Sequence, residues 1–169
     1  MTMSMYDVSI PSFERALGSL GAILDKGAAY AAAKKFDSAV LVHVRLAPDM
    51  LPLVAQVQIA CDMVKGAAAR LAGIEIPKYE DKEASLEDLK GRVKKTLDFV
   101  AGVTAAQLKG AEEREIVLET RAGTLKFSGL TYLTHFVLPN LYFHVGMTYA
   151  LLRHNGVELG KKDFLGAIQ

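Results

Sequence analysis

With 51% hydrophobic and 23% charged residues in 169, the chain has the material for a single domain, residues 1–169, around one large apolar core. A balance of 20 Lys and Arg against 19 Asp and Glu leaves a formal charge of +1, without the basic footprint of a nucleic-acid binder. The single cysteine, Cys61, excludes an intramolecular disulfide and a zinc site built on paired thiolates.

The opening Met-Thr-Met-Ser-Met-Tyr-Asp carries neither a basic stretch before an apolar core nor a lipidation signal, so a cytoplasmic location is expected. Ser9 reads as the cap of a first helix entered through Pro11, with Ile10, Phe13, Leu17, Leu20 and Leu24 recurring at spacings of three and four. Gly27 then reads as a break, followed by a short helical connection over residues 28–45.

After Pro48 and Asp49, the residues Met50, Val54, Val57, Cys61, Val64, Ala68 and Leu71 alternate steps of four and three, the pattern of a bundle seam. Burying each large aliphatic side chain there stabilises by about 1.5–3 kcal/mol, enough to dominate local propensity. Cys61 sits inside this stripe and reads as a packed core thiol. Gly73 ends the helix, and Ile74 to Ala84, with Pro77 and mixed charges, reads as a surface crossover. Ser85 and Asp88 then resemble a capping box ahead of Leu86, Leu89, Val93, Leu97 and Val100. The basic run from Lys90 to Lys95 reads as a solvated face of that third helix.

At Glu115 the period changes to two. Ile116 and Leu118 alternate with Glu115, Val117 and Glu119, and Arg121-Ala122-Gly123-Thr124 turns the chain back, which predicts a β-hairpin over about residues 115–128. From Phe127 to Leu152 there is no Asp, Glu, Lys or Arg, yet His135, Pro139, Asn140, His144 and Gly146 interrupt the tract too often for a membrane span. The prediction is a fourth helix from Pro139 to about His154, stopped at Asn155-Gly156, with Leu138, Leu141, Val145, Tyr149 and Leu152 as its seam. Asn140, His144, Met147 and Leu151 share a second face, so the helix is apolar nearly all round and is expected at the bundle centre.

The stretch from His144 through Leu151-Leu152-Arg153 to Gly160 resembles the last helix of DinB/YfiT-like bundles. Arg45-Leu-Ala-Pro-Asp-Met, Gln56-Val-Gln-Ile-Ala-Cys-Asp62, Ala69-Arg-Leu-Ala-Gly, Leu138-Pro-Asn-Leu-Tyr-Phe-His-Val and Arg153-His-Asn-Gly resemble, across most of the chain, a bacterial domain-of-unknown-function family within that superfamily. The resemblance implies an all-α fold: a DinB/YfiT-like four-helix bundle, often dimeric, here with a long crossover and a small β-hairpin insertion before the last helix. It also implies a divalent metal, zinc or nickel, held by one histidine of the second helix and two at H-x-x-x-H spacing on the last. Such a metal lowers the pKa of water or a thiol and suits thiol-transferase or isomerase chemistry.

Only one of those three histidines is matched here. His144 takes the second place of the pair, Asn140 stands four residues before it, and either Gln56 or Gln58 stands where the second-helix histidine would fall. Neutral amides are poor ligands for first-row metals. The favoured reading is a degenerate metal site without a cofactor, in which amides hydrogen-bond His144 and set helix register. Asp62 reads either as a partner of that layer or as a solvated partner of Lys65. The function expected is a non-catalytic small-ligand-binding or structural homodimer, the second copy covering Phe143 or the hairpin. The alternative is a metal-dependent thiol transferase or isomerase using His144 with Asn140, Gln58, Gln56 or Asp62 as atypical ligands. His43, His135 and His154 form no metal spacing, and no nucleophile elbow or phosphate loop occurs.

Overall fold

The computed structural model describes residues 3–120 and 122–166. Four long helices form the frame: α1 (Met5–Lys34), α3 (Leu53–Ala72), α4 (Leu86–Ala101) and α6 (Leu138–His154). Short α2 (Ala39–Val42) joins α1 to α3, a hairpin of β1 (Glu115–Thr120) and β2 (Gly123–Ser128) precedes the last long helix, and α7 (Lys161–Leu165) follows it. Helix α1 packs along α4, α4 along α3, α3 along α6, and α6 returns to α1, closing a four-helix bundle. The apolar stripes read from the sequence meet at its axis, where Phe13, Leu17, Leu20, Leu24, Val57, Val64, Leu71, Leu89, Leu141 and Leu152 are fully buried.

Three helix boundaries differ from the sequence reading. Helix α1 starts at Met5, because Ser4 and Asp7 form a reciprocal capping box. Ser9, expected as the cap, instead donates its hydroxyl to the Met5 carbonyl within the helix, and Pro11 lies inside it. Gly27 does not break α1, which runs on to Lys34. Its missing side chain serves packing: a Cβ there would stand 3.3 Å from methyls of Leu86 and Leu152. Helix α3 begins at Leu53, three residues after Met50, since the preceding chain is committed to a turn in which Met50 N–H bonds the Ala47 carbonyl.

The largest difference lies before α6. The helical path starts at Ser128, whose hydroxyl caps α5 (Gly129–Thr131), and widens into a π-helical stretch, Tyr132–Val137, that leads straight into α6. Pro139 therefore sits near the start of regular α-helix but within a longer helical run. A wider turn accommodates a residue with no N–H to give and a ring that crowds the preceding turn. Nor is α6 a centre helix. Its Tyr142 and Phe143 are exposed, Phe143 by 55%.

The hairpin pairs Glu115 with Ser128 through Thr120 with Gly123. Ile116 and Leu118 turn inward while Val117 and Leu125 stay exposed, and Phe127 joins a ring cluster with Tyr132 and Phe136 at centroid separations of 5.7–6.0 Å. A two-stranded hairpin is marginal alone, so this anchorage holds it to the bundle.

Candidate functional site

Helices α3 and α6 run antiparallel, as two contacts establish. Gln56 near the start of α3 meets His144, whereas Arg70 near its end donates from Nη1 to the Tyr132 hydroxyl at 3.2 Å, one helical run earlier in the partner. At the first contact, His144 Nδ1 lies 2.7 Å from Gln56 Oε1. The amide orientation is set from its other end, where Gln56 Nε2 donates to the Leu51 carbonyl at 3.2 Å. With Oε1 facing the imidazole as a pure acceptor, the ring proton belongs on Nδ1 and the lone pair on Nε2. His144 is buried, and burial lowers its pKa, so the ring is neutral at pH 7. Thr148 donates to the His144 carbonyl at 3.0 Å, and the Phe143 ring stands edge-on at 5.2 Å.

The remaining residues singled out from the sequence lie elsewhere. Asn140 turns back along its own helix and donates to the Phe136 carbonyl at 2.6 Å. That acceptor lies beside the gap left by Pro139, where the backbone ladder loses one donor. Gln58 points away from His144, donating to Glu83 Oε2 at 2.8 Å. Asp62 pairs with Lys65 at 2.8 Å and with Arg92 at 3.0 Å. Of the two glutamines, then, Gln56 faces the histidine, and the expected layer shrinks to one imidazole and one amide. His43, His135 and His154 are exposed. Among the described residues no group of three or more His, Cys, Asp or Glu side chains is placed to hold a metal ion. One imidazole and a committed amide do not fit the three-histidine donor set that the fold implies.

A second polar cluster escaped the sequence reading. Arg92, read as part of a solvated face, has a side chain only 2% exposed and gathers Asp62, Asp81 and Glu83 at 2.9–3.0 Å. It also donates to the Glu80 carbonyl at 3.3 Å. Burial alone would raise the Glu83 carboxyl, but hydrogen bonds from Gln58 and Arg92 outweigh it and hold the group below its usual range. Lys65 and Lys95 stand 4.1 and 4.2 Å from the centre of the Tyr79 ring, and Arg92 at 5.5 Å. Cys61, on α3 one residue before Asp62, is fully buried, which pushes its thiol pKa up to about 12. A signal for Arg92 did exist: it stands three residues after Leu89 and four before Thr96, on the buried side of α4.

A separate cleft of about 810 Å³ opens between α1 and α7, lined in part by Ser12, Arg15, Tyr142 and Lys162. It includes no member of the His144 pair. Among the described residues no helix is long and apolar enough to cross a membrane.

A family model described as a domain of unknown function (DUF1993) matches residues 5–165. The chain belongs to the DUF1993 family. Its architecture is also that of a solved relative: a crystal structure of a DinB family member from Shewanella denitrificans is 41% identical, covers 97% of this chain and 93% of its own, and superposes with a TM-score of 0.91. No curated protein matches. The DUF1993 chain is thus a DinB-like helical bundle of a functionally uncharacterised family, with a hairpin before its last helix.

Proposed function

We propose that this DUF1993 protein is a non-catalytic homodimeric bundle in which a neutral imidazole–amide pair replaces the metal layer of the superfamily. The observation that carries the reading is the 2.7 Å contact between His144 and Gln56, with the other end of the amide already bound to Leu51. Asn140, Gln58 and Asp62, the further ligands an enzyme of this fold would need to recruit, are each engaged by a different partner. Under this reading, chelator leaves the melting temperature of untagged protein unchanged. A chelator-induced drop restored by zinc or nickel would favour the metal-dependent transferase or isomerase.

The dimer rests on the outer face of α6. Tyr142 and Phe143 are exposed there beside the nearly buried His144, and Leu51, whose carbonyl is tied to the same Gln56 amide, is 48% exposed. Exposed apolar side chains of this kind are the usual material of contact sites. Sedimentation velocity over a concentration series is expected to show a dimer that Phe143→Asp dissociates. A wild-type monomer at every concentration would refute it. A ligand-binding role draws on the α1/α7 cleft, whose volume lies within the roughly 300–1,000 Å³ of small-molecule sites. A thermal-shift screen of small polar metabolites tests that role, and Lys162→Ala should abolish any shift found.

A further inference from the structure

We propose that the α1/α7 cleft holds a small carboxylate with an apolar body, its anionic end bound by Lys162 and by the buried hydroxyl of Ser19, an assignment that rests on the ligand-binding role proposed for this cleft and names the chemistry it accepts.

The hydroxyl points to a ligand because it departs from its own kind. Serines and threonines inside the helices of this chain donate to the carbonyl one turn earlier, as Ser9, Ser12, Thr96 and Thr148 do. Ser19 does not. It lies on the α1 wall of the cleft, only 4% exposed, and its Oγ has no hydrogen-bond partner among the described residues. A buried hydroxyl without a partner is unfavourable and rare in native structures. Gly166, which lines the same cleft just past α7, shows where the hydroxyl faces: a Cβ on that glycine would stand 2.6 Å from Ser19 Oγ and 3.8 Å from Arg15 Cγ. The hydroxyl therefore turns from the carbonyls of α1 toward the α7 end of the cleft, where Gly166 contributes no side chain.

Charge selects the ligand. Glu14, Arg15, Lys162 and Asp163 line the cleft. Asp163 is committed at both oxygens, Oδ1 lying 2.7 Å from Lys26 Nζ and Oδ2 accepting the Gly160 N–H at 2.8 Å. With Asp163 neutralised by Lys26, the exposed Glu14 stands against Arg15 and Lys162, so the lining is positive. Among the described residues Lys162 forms no ion pair, and its ammonium is open to a carboxylate in a charge-assisted hydrogen bond. Pro11 and the Tyr142 ring offer apolar contact to the rest of the molecule. One uncommitted lysine and one hydroxyl suit a singly charged carboxylate better than a phosphate, which proteins meet with several cations and backbone donors.

The test is backbone-amide NMR of the full chain titrated with benzoate and, at equal ionic strength, with benzylamine, benzyl alcohol and inorganic phosphate. Benzoate alone is expected to move the amides of Gly18, Ser19, Lys162 and Gly166 together and saturably. Lys162→Ala should weaken that binding by about tenfold or more and Lys162→Arg should restore most of it. Ser19→Ala should weaken it by about threefold or more without lowering the melting temperature, because the hydroxyl makes no bond in the free protein. Equal binding of benzylamine, benzyl alcohol or phosphate at the same amides, or benzoate binding that Lys162→Ala leaves intact, would overturn the carboxylate assignment while the cleft remained a ligand site. Cleft amides that none of the four probes moves would remove the ligand-binding role and the assignment together.

Discussion

Removing either member of the His144–Gln56 pair strands the other. In His144→Leu the Gln56 Oε1 loses its donor inside a bundle where the residue is 2% exposed, and in Gln56→Met the His144 Nδ1–H loses its acceptor. A buried polar group left without a partner costs about 1–3 kcal/mol, whereas replacing both partners by apolar groups of similar shape is close to neutral. The freed Leu51 carbonyl adds little, because that residue is half exposed and water can reach it. Each single variant is therefore expected to lose about 1–3 kcal/mol. The double variant should lose about 1–2 kcal/mol less than the sum of the two. For a chain of this length each kcal/mol corresponds to about 2–4 °C in melting temperature. Urea unfolding of the four proteins in the cycle measures the coupling. Strictly additive losses would show that the two side chains do not act as a unit, and the account of the polar layer would fail.

Acid sensitivity follows from the same histidine. Its folded pKa is lowered by burial, so below the ordinary imidazole value of 6.5 the unfolded chain takes up a proton that the fold refuses, and stability falls as pH drops. The slope from this one group is at most about 1.4 kcal/mol per pH unit, and His144→Leu is expected to flatten the stability profile between neutral pH and the onset of carboxylate titration. At the hairpin junction, a Cβ on Gly129 would stand 1.9 Å from the Ala111 carbonyl oxygen, so Gly129→Ala should cost about 1–3 kcal/mol or prevent folding, as thermal denaturation would register. Loss of Phe143, 55% exposed in the single chain and covered by the second copy in the proposed dimer, should alter sedimentation and remove the concentration dependence of the melting temperature that dimer formation confers.

Much of the architecture is legible because period and punctuation agree. The seam from Val57 to Leu71, the Ser85–Asp88 cap, the Gly73 stop and the two-residue alternation at Ile116 and Leu118 each require nothing beyond their own neighbourhood, and each stands where the pattern puts it. Boundaries misread from the sequence share another cause. Ser9, Gly27 and Pro139 carry the chemistry of helix ends but serve the helix interior: a hydroxyl bonded back one turn, a close approach to Leu152, and a π-turn that absorbs the proline. Those roles depend on tertiary neighbours that local propensity does not encode.

Side chains of the candidate site were legible in identity but not in pairing. A helical wheel places Asn140 and His144 on one face, yet the Phe136 carbonyl one turn back along the same helix holds the Asn140 amide away from the histidine. The choice between Gln56 and Gln58 depends on which lies against α6 and which against the crossover, a distinction of helix rotation. Arg92 shows the converse. Its charge argued for solvent, while its spacing from Leu89 and Thr96 placed it inward, and burial succeeded because three carboxylates from α3 and the crossover converge on it.

The central claim, that an imidazole–amide pair stands where the superfamily holds an ion, is tested most directly by elemental analysis of protein prepared without a histidine tag. The account predicts no transition metal at stoichiometric level and an identical result for His144→Ala. One zinc, nickel or iron per chain, lost on substitution of His144, would contradict it.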